Sequence, residues 1–191
     1  MLEDLTIVIT TYKRYGYLKR LLSFFSLYPL KSKILILDSS PYYPDDAQLN
    51  KMLSKDGVQW LRFSDDIFFV HKISEGCKHI DTKYTVLCAD DDFLVPGAIE
   101  QCVDYLYKNQ DFTSAHGFYF SHYLRKERLI LNPLYSKEVT KSKDNSFYRV
   151  KSYLDGSLKY YPMYAVHRSD MFGLIWSETK KYVSDQGLSE I

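Results

Sequence analysis

Cysteine is scarce in this 191-residue chain: only Cys77, Cys88 and Cys102 occur, an odd number, each among apolar neighbours. No CxxC pair is present, which argues against a disulfide framework and for reduced core thiols. The histidines (His71, His79, His116, His122, His167) never form a close ligand pair, so a zinc site is rejected. No apolar run approaches the roughly 20 residues a membrane span needs. The start, "MLEDLTIVIT", has no basic leader region, so no signal peptide is expected. Together these features predict a cytoplasmic protein, with peripheral contact at the inner face of a membrane as the most that is allowed. An excess of one charge is missing too: 25 Lys and Arg face 24 Asp and Glu, a net charge of +1. With no basic stripe, a nucleic-acid partner is not expected. No internal repeat is visible.

What is present fits one globular domain. Hydrophobic residues make up 46% and charged residues 26%, ordinary for such a chain, and the length suffices for one well-buried core. Tyrosine is unusually frequent at 18 residues. Its apolar ring with a hydroxyl suits grooves for polar ligands, although an AT-rich coding bias explains it equally well.

Short β-branched or apolar runs, "LTIVITT" (5–11), "KILIL" (33–37), "VQWLRF" (58–63) and "YTVLCA" (84–89), predict strands, the first two reading as buried on both faces. Between them lie helical patterns. Leu18, Leu21, Leu22 and Phe25 share one face, and a short helix around Leu49, Met52 and Leu53 is closed by Gly57. Asp65 or Asp66 is expected to cap a helix carrying Val70, Ile73, Cys77 and Ile80, and Pro96 to occupy the first turn of a helix carrying Ile99, Cys102, Val103 and Leu106. This alternation over 5–108 predicts an α/β fold with a mostly parallel, Rossmann-like sheet flanked by helices. The C-terminal half reads as mixed: strands in "FTSAHGFYF", "RLILNPLY" and "YYPMYAVHR", a polar loop at 137–146, and helices in "SFYRVKSYLDG" and "SDMFGLIW", the latter capped by Ser169 or Asp170. It is expected to complete a single domain over 1–191, with a ligand-binding half of about 1–110 and a completing half of about 111–191.

Ligands of an open parallel sheet bind beyond the carboxyl ends of its strands. Three predicted strands end there in polar groups: Thr10-Thr11-Tyr12, Asp38-Ser39-Ser40 and Asp90-Asp91-Asp92. Like charges about 4 Å apart repel by roughly 4 kcal/mol at an effective dielectric near 20, so the acidic triplet needs an offset. Solvent or a divalent cation, Mg²⁺ or Mn²⁺ bridging phosphates, meets that need. Asp38 can accept hydrogen bonds from a base or ribose, and Thr11 and Tyr12 can frame a ring. The basic cluster Lys13, Arg14, Lys19 and Arg20 reads first as a solvated helix face, with contact to phosphate or an anionic acceptor as the alternative.

"TIVITTYKR", "ILILDSS" and "YTVLCADDDFLVPGAIE" together resemble the first strand, second-strand aspartate and DXD region of family 2 glycosyltransferases of GT-A fold, with "DD-x-x-x-P-x-x-[IL]-E" at Asp91 to Glu100. The resemblance covers about 5–108 and implies a nucleotide-diphospho-sugar donor, a saccharide or lipid-linked saccharide acceptor, and Mn²⁺ or Mg²⁺. It implies further that Thr11, Tyr12 and Asp38 hold the nucleoside, that Asp90 lies by the ribose, and that Asp91 or Asp92 ligates the metal on the diphosphate. Displacement in the family usually inverts the anomeric centre, with a late acidic residue as general base. Asp185 in "YVSDQGLSE" stands in that context, and "AVHR" resembles the preceding strand, offering His167 or Arg168 to the diphosphate. Ala89 replaces the first acid of a D-A-D-D pattern, which leaves the ligand register open by one residue. The chain stops at Ile191, where family members commonly continue, so a fragment or a minimal version is expected.

Two other functions fit the same residues. A nucleotidyl- or phosphotransferase needs a further phosphate cluster at the first strand end, and "TTYKR" supplies no glycine-rich loop. A non-catalytic carbohydrate- or partner-binding module needs no metal at all.

Overall fold

A computed structural model describes residues 2–134, 146–155, 162–184 and 187–188. The chain divides into two compact units, one of 1–116 with 164–191 and one of 117–163.

The first unit is built on a six-stranded sheet. Its strands are β1 (Leu5–Thr11), β2 (Lys33–Asp38), β3 (Val58–Arg62), β4 (Tyr84–Ala89), β5 (Ser114–Ala115) and, later in the chain, β8 (Val166–Arg168). Their order is β3-β2-β1-β4-β8-β5. The first four are parallel, and β8 runs antiparallel to both β4 and β5. The helices are α1 (Tyr15–Leu27), α2 (Ala47–Leu53), α3 (Phe69–Cys77), α4 (Pro96–Lys108) and α6 (Ser169–Lys180).

Alternation along the strands separates two cores. Leu5, Ile7 and Ile9 of β1 pack in one buried cluster with Leu18, Leu21, Leu22 and Phe25 of α1 and Ile99, Cys102, Val103 and Leu106 of α4. Val8, between them in sequence, joins Leu35, Leu37 and Leu87 in a second cluster with Val70 and Ile73 of α3 and Phe172 and Trp176 of α6. Strands buried on both faces therefore carry continuous apolar runs. Pro96 opens α4 as the sequence predicts. All three cysteines are free, and burial pushes the Cys77 thiol up to about 12 and that of Cys102 to about 11. Among the described residues, no helix is long and apolar enough to cross a membrane.

Several boundaries differ from the sequence expectation. Asp65 and Asp66 do not cap α3, which starts at Phe69 with extended Phe68 at its N-cap and no side-chain cap bond; Asp66 is instead bonded by the Ser64 hydroxyl within the preceding turn. α6 likewise has Arg168 at its N-cap and no side-chain cap. α2 ends at Leu53 with Ser54 as C-cap, and Gly57, at φ +81°, turns the chain into β3.

α3 lies so close to β2 that a Cβ built on Gly76 would stand 2.5 and 2.7 Å from the two methyls of Leu37, itself fully buried. Gly76→Ala should therefore destabilise the protein by about 1–3 kcal/mol; an unchanged urea midpoint would show that Leu37 repacks freely.

The second unit contains a hairpin of β6 (Phe120–Arg125) and β7 (Arg128–Pro133), and α5 (Ser146–Leu154). Arg125 pairs with Arg128, so Lys126 and Glu127 alone make the turn, with φ +48° and +64°. Two positive φ angles suit the twist of a two-residue hairpin turn. The polar stretch at 137–146 lies, but for its last residue, outside the described residues.

Candidate functional site

The carboxyl ends of β1, β2 and β4 form one rim, and the register brings their polar ends side by side. Thr11 is paired with Asp38, and Thr10 with Ala89, so Asp90 follows directly beside Thr11. The order β2-β1-β4 puts the topological switch point between β1 and β4. There the Thr11 hydroxyl donates to Asp90 Oδ2 at 2.7 Å, with both residues buried. It is thus a ligand of the acidic loop, and α1 has no side-chain cap.

Asp38 is fully buried and accepts from four protein donors. Oδ2 accepts from Arg62 Nη1 at 2.6 Å, the Tyr15 hydroxyl at 2.8 Å and Trp60 Nε1 at 3.2 Å, while Oδ1 accepts from the Ser40 backbone N–H at 2.8 Å. The Tyr42 carbonyl accepts from Arg62 Nη1 at 3.0 Å and, 2.6 Å from the Tyr15 hydroxyl, competes with Asp38 for its single proton. Exposed aromatic rings stand against these donors, Tyr42 beside Tyr15 and Tyr43 beside Trp60, 49% and 72% exposed, and Tyr12, next to Thr11 in the chain, is 42% exposed. Arg62 lies over the Tyr43 ring, 4.6 Å from its centroid. Ring faces open to solvent beside a buried carboxylate suit a planar polar ligand.

The acidic triplet is offset from within the chain. Arg14 donates from Nε to Asp90 Oδ2 at 3.3 Å and from Nη1 to Asp91 Oδ2 at 2.9 Å, and its Nη2 ion-pairs with Asp90 Oδ1. That last contact brings the charges together without a directed hydrogen bond to the buried Oδ1. Arg20 Nη2 donates to the Asp91 carbonyl at 2.7 Å. Burial pushes the Asp90 carboxyl above its usual range, against the pull of the Thr11 hydroxyl and Arg14. Burial also works against the charge of Arg14, but Asp90 and Asp91 overcome it and hold the guanidinium more firmly protonated. Below the rim, Lys72 of α3 is 4% exposed and donates to the Thr11 carbonyl at 3.1 Å and the Ser39 hydroxyl at 2.9 Å. Its burial lowers the ammonium to about 8 despite Asp38 and Asp90.

Arg14 and Arg20 are thus not a solvated helix face. Lys19 of the same cluster pairs with Asp46, the N-cap of α2, at 2.7 Å. Tyr15, Trp60, Arg62 and Lys72 were not singled out for the site by sequence reasoning, and Arg14 was raised only as an alternative phosphate contact. Of the four that were missed, Arg62 carried a usable signal, as the charged residue at the carboxyl end of a predicted strand.

Arg168 does not face the rim. It pairs with Tyr84, the first residue of β4, about 20 Å along the strand from Asp90 at 3.3 Å per residue. Its Nε donates to the Phe112 carbonyl at 2.9 Å, and its Nη2 to those of Leu106 and Asn109 at 2.8 and 3.2 Å. It satisfies carbonyls left open at the end of α4. His167 is buried on β8, its ring 5.8 Å from that of Phe172. Asp185 lies outside the described residues.

Residues 6–172 match the profile of glycosyl transferase family 2. The chain belongs to that family. Its fold is shared with the crystal structure of S. aureus TarS, at a TM-score of 0.55 and 9% identity over 95% of this chain and 30% of that one. A crystal structure of S. aureus TarS 1–349 matches at a TM-score of 0.58 and 12% identity, over 97% of this chain and 51% of that one. At these identities the likeness establishes the GT-A-like fold and no more. This family 2 chain spans about half, or less, of the solved proteins it matches. No curated protein matches it closely enough to count as a relative.

Whether the rim fits a divalent cation can be judged from its donors. No group of three His, Cys, Asp or Glu poised for a metal occurs among the described residues. The donors at the triplet are all carboxylate oxygens, however, and the buried Asp90 Oδ1 lacks a directed hydrogen bond. Such a set fits a hard cation shared with phosphate oxygens, which needs only one or two protein carboxylates.

Proposed function

We propose that this family 2 chain carries the donor-binding and transfer site of a glycosyltransferase, moving a sugar from a nucleotide-diphospho-sugar to an acceptor hydroxyl with inversion. The acceptor class is a saccharide or a lipid-linked saccharide, as in bacterial polysaccharide or glycoconjugate synthesis. One observation carries the reading: Thr11, Asp38 and the acidic triplet lie side by side at the carboxyl rim, at the switch point where α/β sheets bind nucleotides.

In this reading the nucleoside lies over the Asp38 pocket. Tyr12 frames the base. Asp38, already held by four protein donors, exchanges one of them for the ligand or acts through Tyr15 and Arg62. Thr11 fixes Asp90 beside the ribose. Asp91 and Asp92 hold Mn²⁺ or Mg²⁺; when bound, such a cation supplies the positive charge that stabilises the departing nucleoside diphosphate. Asp185 takes the proton of the acceptor hydroxyl as general base. Arg168, committed to α4, has no part.

The test is binding of uridine diphosphate with and without Mn²⁺, read as thermal stabilisation. Ligand at 100 times its dissociation constant adds about 2.7 kcal/mol. The double substitution Asp91→Asn and Asp92→Asn should weaken Mn²⁺-dependent binding about 100-fold, as two charge-assisted contacts of about 1.5 kcal/mol each are lost. Folding should survive, since the Asp91 side chain is 42% exposed and Asp92 is exposed. Absence of any metal-linked shift, with saccharide binding intact, would favour a non-catalytic binding module instead.

A further inference from the structure

Arg14 is placed by an unusual stretch of backbone. Lys13, the residue before it, has φ +57°, a left-handed conformation that disfavours a lysine, and is held there by its N–H bonded to the Ser40 hydroxyl at 2.8 Å. That turn aims the next side chain back across the rim onto Asp90 and Asp91. Arg14 and Arg20 both lie over the ring of Tyr17, 5.5 and 5.0 Å from its centroid.

The acidic loop does not depend on Arg14 for its shape. Thr11 anchors Asp90, Arg20 anchors the Asp91 carbonyl, and the Asp92 N–H donates to the Ala89 carbonyl at 3.2 Å. What Arg14 contributes is charge. Its side chain is 44% exposed, so it can leave the carboxylates without breaking a core. Its guanidinium fork also matches a phosphate as well as it matches a carboxylate.

We propose that Arg14 is a diphosphate-binding residue of the donor site, parked on Asp90 and Asp91 until a divalent cation and a nucleoside diphosphate arrive together. A cation held by Asp91 would displace the guanidinium, which would move to the phosphate oxygens, while Asp90 keeps its bond from Thr11, so that Asp91 and the diphosphate each keep a positive neighbour. Cation binding without nucleotide is opposed, because it strands Arg14. This rests on the donor-site reading above.

The experiment measures Mn²⁺ uptake by electron paramagnetic resonance of the free ion, with and without uridine diphosphate, in the whole chain and in Arg14→Met. The expected signature is two shifts of opposite sign. Mn²⁺ alone should bind Arg14→Met about 10-fold more tightly than wild type, whereas uridine diphosphate in saturating Mn²⁺ should bind it about 10-fold more weakly, both within the usual span of site-to-site coupling. Arg14→Lys, which keeps the charge without the fork, should fall between, and it carries the comparison if the methionine variant does not fold. Mn²⁺ affinity that does not rise in the variants, while wild type still takes up Mn²⁺ with nucleotide, overturns the Arg14 proposal and leaves the donor site standing. No uptake in any of the proteins under either condition overturns both.

Discussion

Asp38→Ala is expected to lower the unfolding free energy by about 3 kcal/mol, toward the low end for breaking a buried ion pair because Arg62 remains 23% exposed. The fully buried carboxylate accepts from four donors on three segments of chain: Arg62 and Trp60 of β3, Tyr15 of α1 and the Ser40 N–H. Alanine takes the counter-charge from a guanidinium that keeps only carbonyl partners, and the acceptor from an indole N–H, and that penalty outweighs the value of the pair itself. Asp38→Asn, which still presents an oxygen to Ser40, should lose about half as much. Urea unfolding of the two variants beside wild type reads the difference. A loss below about 1 kcal/mol for alanine would mean that water replaces the carboxylate with ease.

The second large effect is a pH dependence. Lys72 titrates at about 8 in the folded protein and at 10.5 when unperturbed. Below pH 8 both folded and unfolded chains bind its proton, and the group contributes no slope. Between pH 8 and 10.5 the unfolded chain binds more protons, so stability rises with pH, and the gain is complete above 10.5. At 1.36 kcal/mol per unit the gain approaches about 3 kcal/mol. Other groups titrate in the same window, and Lys72→Met removes only this one. Wild type should therefore gain about 3 kcal/mol on Lys72→Met between pH 7.5 and 10.5, measured by urea unfolding at both. A constant difference would show that Lys72 keeps its ordinary affinity for the proton.

The four parallel strands and the faces of α1 and α4 were legible because their signals are local. A two-face-buried strand is a run of Val, Ile and Leu, and an amphipathic helix repeats at 3.6 residues. That Thr11, Asp38 and Asp90 share one edge followed from parallel strands; that they are neighbours there comes from the order β2-β1-β4. The partners of those residues were not legible. Arg14 meets Asp90 across 76 residues of chain, and Lys72 reaches Thr11 across 61. No spacing rule ties residues so far apart, and a basic residue near a helix start looks the same whether it meets solvent or a carboxylate. Arg168 misled for a related reason. Its strand was expected, but the antiparallel direction of β8, which sends its end to the far side of the sheet, depends on a path through 117–163 that local pattern does not encode.

That path begins and ends at one spot. Ala115 of β5 and Val166 of β8 are cross-strand partners, about 5 Å apart as antiparallel neighbours are. A stretch leaving and re-entering a scaffold at adjacent points can lengthen, shorten or be exchanged with little strain on what it leaves behind, since doubling a loop adds only about 0.6 kcal/mol of closure entropy. Evolution can thus graft different accessory pieces between these two strands while the parallel strands β1 to β4 keep their geometry.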